Sequence, residues 1–310
     1  MEPHALTFLA VLLIGIVTNL GGKYLAEKLP RIPRLLWWFG ILIPYCVVHL
    51  LLLHEPTFLR MVGLCTTLLL GMKVITYMEW LKMGGCKIAM PRWLAFSFLW
   101  FGMQPKAWVG ERKTHEWKSH LRVALLCLAM GAVGLSLYVF FDWKSLPLSF
   151  IFMSLMFHYG VLRLNTAFWR AMGFPVRTLF RNPLVTIGFK DFWGARWNLA
   201  YSQMMARAVQ KPLTPKLGSK GAIFAVFLVS GLFHELAITV PAMQGYGLPS
   251  LFFLFHGFAI LIEKKPHRIM GALCLLSLVL GLPFLFPPPF VQEIFRPVEE
   301  TWQAGLFFFF

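Results

Sequence analysis

The 310-residue chain is 58% hydrophobic and only 14% charged, with a mean hydropathy of +0.68. A soluble domain carries about a quarter charged residues, so an ordinary soluble protein is excluded and a multi-span membrane protein is expected. A formal net charge of +16 could suit a nucleic-acid binder, but the basic residues sit in loops between apolar runs, a placement that favours membrane orientation and anionic headgroups or ligands over nucleic acid.

Runs of about 20 apolar residues are needed to cross a bilayer. The start, Met1-Glu2-Pro3-His4, lacks the basic stretch and cleavage site of a signal peptide. The first run, Ala5 to Leu20, is therefore expected to be a retained span. The second is Leu35 to Leu53, opened by the interfacial pair Trp37 and Trp38. The third is Phe58 to Tyr77, with Lys73 near one end and close enough to snorkel. Trp93 to Phe101 is apolar but too short to cross, and reads as re-entrant or interfacial. The fourth and fifth spans are Leu121 to Phe141 and Leu146 to Leu162. The sixth, seventh and eighth are Gly221 to Val240, Leu248 to Ile262, and Ile269 to Phe286, the last closed by Pro287-Pro288-Pro289. The run Phe307 to Phe310 has no assigned role. Five cysteines, Cys46, Cys65, Cys86, Cys127 and Cys274, contain no C-x-x-C pair and read as small packing residues, with no disulfide or metal framework.

Loop charges support this count. Gly21 to Arg34 carries four basic residues and one acidic, Lys82 to Ser119 seven and two, Arg163 to Lys220 ten and one, and Glu263 to Arg268 three and one. The intervening loops hold Glu55 alone, Asp142 with Lys144, and no charge from Pro241 to Gly247. This alternation is the positive-inside pattern for eight spans with both termini outside. Neither an internal repeat nor a linker is visible, so one all-helical domain over 1–310 is expected.

Arg163 to Lys220 is too long for a bare connection. Phe189, Phe192, Trp193, Arg196, Trp197, Ala200, Tyr201, Met204 and Met205 recur at spacings of three and four, which predicts an amphipathic helix along the interface. Gly188 can serve as its N-cap, Asp191 suits its positive start, and Pro212 lies just past its end. Trp and Arg at an interface need no catalytic role. Asn198 is different, because an amide beside aromatic residues wants partners. Both ligand contact and helix packing would satisfy it.

In the sixth span Phe227, Ser230, Gly231, His234, Ala237, Ile238 and Pro241 share a face rich in small residues. That face either packs tightly on another helix or leaves a channel beside His234. His234 lies about 21 Å along the helix from Lys220, at ~1.5 Å per residue, which puts it deep in the membrane. Ionisable groups there usually mark function, although a lone histidine can equally bond one helix to another. Glu235 points about 100° away around the helix and needs its own partner. His158 and His256 read as structural. Known catalytic patterns are mostly excluded. His234-Glu235 begins like H-E-x-x-H, but Ile238 stands where the second zinc ligand belongs. No G-x-S-x-G elbow, P-loop, dinucleotide fingerprint or His-His-x-x-x-Asp run occurs.

Two segments together, Phe192-Trp193-Gly194-Ala195-Arg196-Trp197-Asn198 and Ser230-Gly231-Leu232-Phe233-His234-Glu235-Leu236, resemble the wax synthase branch of the membrane-bound O-acyltransferase superfamily. The branch pattern is Phe-Trp-Gly-x-Arg-Trp-Asn/His followed by Ser-Gly-x-x-His-Glu-Leu. Asn198 and His234 are 36 residues apart, as in the family, and the resemblance spans roughly 157–263. Gly188 and Ala195 depart from the family's Ser at the helix start and its second Arg, differences that bear on the substrate. The resemblance implies acyl transfer from acyl-CoA, a co-substrate rather than a bound cofactor, to a lipophilic alcohol. It implies that His234 is the general base, and neutral away from water. Asn198 would position the acyl carbonyl or its oxyanion. Arg196 would meet the CoA phosphates from the cytosolic side. Phe192, Trp193, Trp197 and Ser230 would contact substrate. The expected setting is a bacterial cytoplasmic membrane or the endoplasmic reticulum. A terpenoid, sterol or sugar acceptor remains open, as does a transporter or scaffold using His234 as a proton relay or packing group. Neither oligomeric state nor chain length is legible.

Overall fold

The computed structural model describes residues 3–29, 31–113, 115–143 and 145–307, with side chains from residue 6 to residue 305. The phenylalanine-rich end falls outside the described side chains. The eight predicted spans are helical, the last in two pieces, Arg268–Leu280 and Leu282–Leu285, whereas Trp93 to Phe101 is helical only as far as Leu99; no strand occurs among the described residues. In chain order the helices are α1 (Pro3–Lys28), α2 (Arg34–Leu51), α3 (Thr57–Lys82), the short α4 (Met90–Leu94), α5 (Lys118–Phe140), α6 (Leu146–Ala171), α7 (Leu199–Ala242), α8 (Leu248–Ile262), α9 (Arg268–Leu280) and α10 (Arg296–Phe307). Six of these are long and apolar enough to cross a membrane, while α8 and α9, at 15 and 13 residues, are shorter apolar helices. The chain is an all-α, multi-pass membrane bundle. Leucine, phenylalanine and isoleucine line its outer faces, and glycines sit where helices meet.

The helices sort into two compact units. The first comprises Met1–Val109, Gln203–Leu261 and Phe284–Phe290, and the second Gly110–Ser202, Ile262–Pro283 and Val291–Phe310. In the first unit, Gly22 lets α1 close on α3, where a β-carbon would stand 2.6 Å from Val74. Gly71 does the same for α2, at 2.6 Å from Ile41. Asn19 joins this seam, donating to Leu70 O and accepting from Trp93 Nε1. In the second unit, Gly131 and Gly134 of α5 seat Met156 and Phe152 of α6. Trp302 of α10 donates to Ser136 of α5, and Ser149 of α6 donates to Glu299 of α10.

Lys73 does not snorkel. It is fully buried, and its ammonium donates to the carbonyls of Phe96 (2.8 Å), Trp100 (2.6 Å) and Gly102 (2.6 Å). It also lies 4.1 Å from the Phe96 ring centroid. The chain unwinds after Leu99, which leaves carbonyls without helical partners, and three ammonium donors answer three of them. The short apolar stretch after α4 is therefore anchored to α3.

The predicted interfacial helix is broken. Phe189–Asp191 forms one helical turn, Phe192–Arg196 continues as a π turn, and Trp197 is extended. Asn198 has φ +40°, a left-handed conformation that asparagine tolerates better than most residues. Helix α7 begins only at Leu199, and Pro212 does not end it. The interruption comes at Gly218, whose φ of 67° and ψ of 171° kink the helix before the apolar part that carries His234.

Candidate active site

The two motif segments belong to different units. Ser230 and His234 lie in the first, and Phe192, Trp193, Arg196, Trp197 and Asn198 in the second.

In the first unit, His234 Nδ1 is 2.7 Å from Ser230 O. A carbonyl can only accept, so Nδ1 carries the proton and Nε2 the lone pair. The ring lies against Phe253 of α8, with centroids 4.1 Å apart. Gly231 makes that contact possible, since a β-carbon there would come 2.9 Å from Ser250 Cα. The small-residue face thus packs on α8 at Gly231. The Ser230 hydroxyl donates to Val226 O (2.7 Å) and serves its own helix. A π turn, Glu235–Thr239, starts directly after His234, a feature often found at functional positions. Glu235 has the partners its burial requires: Oε1 accepts Ser250 N–H (2.9 Å) and Oε2 accepts the Thr239 hydroxyl (2.5 Å). Side chains from α2 and α3 reach the carbonyls in and beyond this turn. Tyr45 donates to Leu236 O (2.7 Å), and Arg60 donates to Pro241 O (2.7 Å), Leu53 O, Glu55 O and Thr57. His256 is fully buried, with Nδ1 2.8 Å from Phe252 O.

In the second unit, Phe192 is buried and stacks on Trp197 (5.5 Å, 16°), while Trp193 meets Phe192 edge-on (5.1 Å). His158 of α6 sits beside Trp197 and Phe180, and its Nδ1 is 2.9 Å from the Ser154 hydroxyl. Arg196 is engaged by the segment itself: Nε meets Asp191 Oδ2 at 2.5 Å and Nη1 donates to Asn182 O at 3.2 Å. Asp191 also accepts from Ile187 N–H and Thr186 Oγ1. Burial pushes the Asp191 carboxyl upward, but these donors, led by Arg196, outweigh it and hold it below the usual carboxylate range. Backbone bonds from Arg181 N to Arg196 O and from Leu199 N to Leu179 O clamp the far side. Asn198 Oδ1 accepts Tyr201 N–H (3.2 Å), capping α7. A cavity of about 320 Å³ lined by Ile187, Lys190, Asp191, Glu263, Lys264 and Pro266 lies beside this segment. Among the described residues, no three His, Cys, Asp or Glu side chains converge as a metal set.

Sequence reasoning missed Arg60, Glu263 and the Asp191–Arg196 pair. The signal for Lys73 and Arg60 was present, since a cation inside a span needs partners, but those partners are backbone carbonyls that no side-chain pattern announces.

The fold and these segments define a membrane-embedded helical protein with a histidine-bearing span and a separate aromatic, cationic segment. Residues 176–255, a stretch that includes both motif segments, match the model of the membrane bound O-acyl transferase family. Similar curated proteins include "Probable long-chain-alcohol O-fatty-acyltransferase 7" of Arabidopsis thaliana, 24% identical over 56% of this chain and 55% of that protein. "Long-chain-alcohol O-fatty-acyltransferase" of Simmondsia chinensis is 30% identical over 57% of each. "Acyl-CoA--sterol O-acyltransferase 1" of Arabidopsis thaliana is 28% identical over 47% of this chain and 49% of that protein. The chain spans about half the length of the curated relatives it matches.

Proposed function

We propose that this protein transfers an acyl group from acyl-CoA to the hydroxyl of a lipophilic alcohol, with His234 as the general base. The observation that carries the reading is the His234 Nδ1–Ser230 O hydrogen bond, which fixes the tautomer in which Nε2 can take a proton. A hydroxyl is a poor nucleophile at neutral pH. His234 Nε2 accepts its proton as the oxygen attacks the thioester carbonyl. The tetrahedral intermediate then collapses, the C–S bond breaks, and the imidazolium returns the proton to the departing CoA thiolate. For Asn198 we propose the role of amide donor to the developing oxyanion. The basic segment holding Lys190 and Arg196 supplies cations for the CoA phosphates. The named activities of the long-chain-alcohol relatives support a fatty alcohol as acceptor, and the sterol-acylating relative supports a second reading with a sterol in that place.

The test is His234→Ala assayed with long-chain acyl-CoA against a panel of fatty alcohols and sterols. The span becomes more apolar, so insertion and detergent stability should be kept, while transfer falls by ~100-fold or more. Near-normal transfer in a well-folded preparation would make His234 a packing residue.

A further inference from the structure

Gly188, at the entrance to the aromatic motif, has a φ of 155°, but its conformation is not what most demands glycine. A β-carbon there would stand 1.7 Å from Glu263 Oε1. The carboxylate of Glu263 fills the space that any other residue at 188 would occupy. Glu263 is 5% exposed, and it bonds reciprocally with Lys190, two residues past Gly188. Glu263 Oε2 accepts the backbone N–H of Lys190 (2.9 Å), and Lys190 Nζ donates to Glu263 O (2.8 Å). The first bond answers an amide in the first turn of Phe189–Asp191, where orphan donors favour a carboxylate. Further bonds run alongside. His267 N–H donates to Ile187 O (2.8 Å), and Gly271 lies so close to Thr186 that a β-carbon would meet its carbonyl at 2.0 Å.

The two carboxylates divide the work. Asp191 draws in Thr186, Ile187 and Arg196 and shapes the motif segment from within. Glu263 comes from a stretch more than 60 residues later in the chain and fixes where that shaped segment lies. Among the described residues its Oε1 is buried with no hydrogen-bond partner. A buried carboxylate oxygen left so costs stability, and an apolar side chain would fill the same space without that cost but could not cap Lys190.

We propose that Glu263 is a positioning residue for the Phe192–Asn198 segment, holding it through Gly188 and the Lys190 amide. The inference rests on the reading that this segment serves acyl transfer. Misplacing a catalytic group by about 1 Å can cost ~100-fold in rate, so a residue that touches no substrate can still govern turnover.

Four variants of the full-length protein in detergent test it: Glu263→Ala, Glu263→Gln, Gly188→Ala and the double variant Gly188→Ala/Glu263→Ala. Hydrogen–deuterium exchange is read on peptides covering 188–198, and kinetics are measured with palmitoyl-CoA and hexadecanol or a sterol. Glu263→Ala should raise uptake in 188–198, leave the His234 turn unchanged, and lower kcat at least ~10-fold with KM for palmitoyl-CoA within about twofold. Glu263→Gln keeps an acceptor for Lys190 N–H and should recover most of that kcat. Gly188→Ala drives a methyl group into the carboxylate, and removing the carboxylate in the double variant should restore part of its lost thermal stability. Unchanged uptake in Glu263→Ala, or loosened uptake with unchanged kcat, would overturn the proposal. The exchange and the stability rescue need no substrate. If wild-type protein acylates neither acceptor, the acyl-transfer reading falls by itself while those two measurements still decide the placement.

Discussion

Asn198 carries two demands that one substitution can separate. Its Oδ1 caps α7 at Tyr201 N–H, and its backbone sits at φ +40°, where Asn and Asp are several-fold enriched over other non-glycine residues. The proposed chemistry needs the other end of the amide, the NH₂ donor. Asn198→Asp keeps the cap acceptor and the backbone preference but loses the donor. It should fold with a melting temperature close to that of the parent while transfer falls ~100-fold or more, as for other lost oxyanion donors. Undiminished transfer in that variant would reduce Asn198 to a helix cap. Glu235 offers a matching case beside His234. Its carboxylate holds Ser250 N–H at the start of α8, the helix that presents Phe253 to the histidine ring. Glu235→Ala should cost roughly 1–3 kcal/mol of stability, because Ser250 N–H and Thr239 lose a buried acceptor. Denaturant titration of the detergent-solubilised protein measures it, and a cost under about 0.5 kcal/mol would show that water replaces the carboxylate.

The motif segment from Thr186 to Asn198 behaves as an element although it is not a continuous helix. Its spacing of aromatic residues was legible as helical, and the turn Phe189–Asp191 with the π turn after it keeps that spacing up to Arg196. The break at Trp197 and Asn198 was not legible, because no proline or glycine marks it. What sustains it is tertiary: Leu199 N bonds Leu179 O and Arg181 N bonds Arg196 O. In the sequence Asp191 suits a helix start and Arg196 a phosphate; in the structure the two pair with each other. This pairing separates two roles for Arg196. If its main task is to hold Asp191, then Asp191→Asn and Arg196→Ala should loosen the segment alike and lower kcat alike. If it meets CoA phosphate, Arg196→Ala should raise KM for acyl-CoA while Asp191→Asn does not, and Arg196→Lys should rescue only in part. The pair also predicts a pH response. The folded-state pKa of Asp191 is depressed, so its contribution is complete above its unfolded value, about 3.9, and is lost as pH falls through the lower folded value. Protection of amides in 186–198, taken relative to their intrinsic exchange rate at each pH, should therefore stay constant down to about pH 4 and fall below it, whereas a fall beginning near neutrality would assign the effect to another group.

At the scale of the whole molecule, hydropathy is a local property, and so the apolar runs and helices α1 to α9 agree closely. Lys73 shows where local reading stops. Nothing near it in sequence announces that the chain unwinds from Trp100 to Gly102, 27 to 29 residues later, and offers carbonyls to its ammonium. Orientation depends on a different property, the alternation of loop charge. Arg163 to Lys220, with ten basic residues and one acidic, belongs on the cytosolic side if the positive-inside rule governs this chain, and Lys82 to Ser119 belongs with it. Acyl-CoA is a cytosolic, polyanionic molecule, so the proposed reaction needs the same placement of Lys190 and Arg196. Cysteines introduced at Lys113 and Lys216, in a background with the native cysteines replaced, should react with a membrane-impermeant maleimide only after the cytosolic face is opened. Lys113 and Lys216 lie in exposed positions, so a negative result from intact cells reports sidedness and not burial. Labelling of both positions from outside would invert the bundle. It would turn the basic segment away from acyl-CoA and leave His234 a base without its proposed donor substrate.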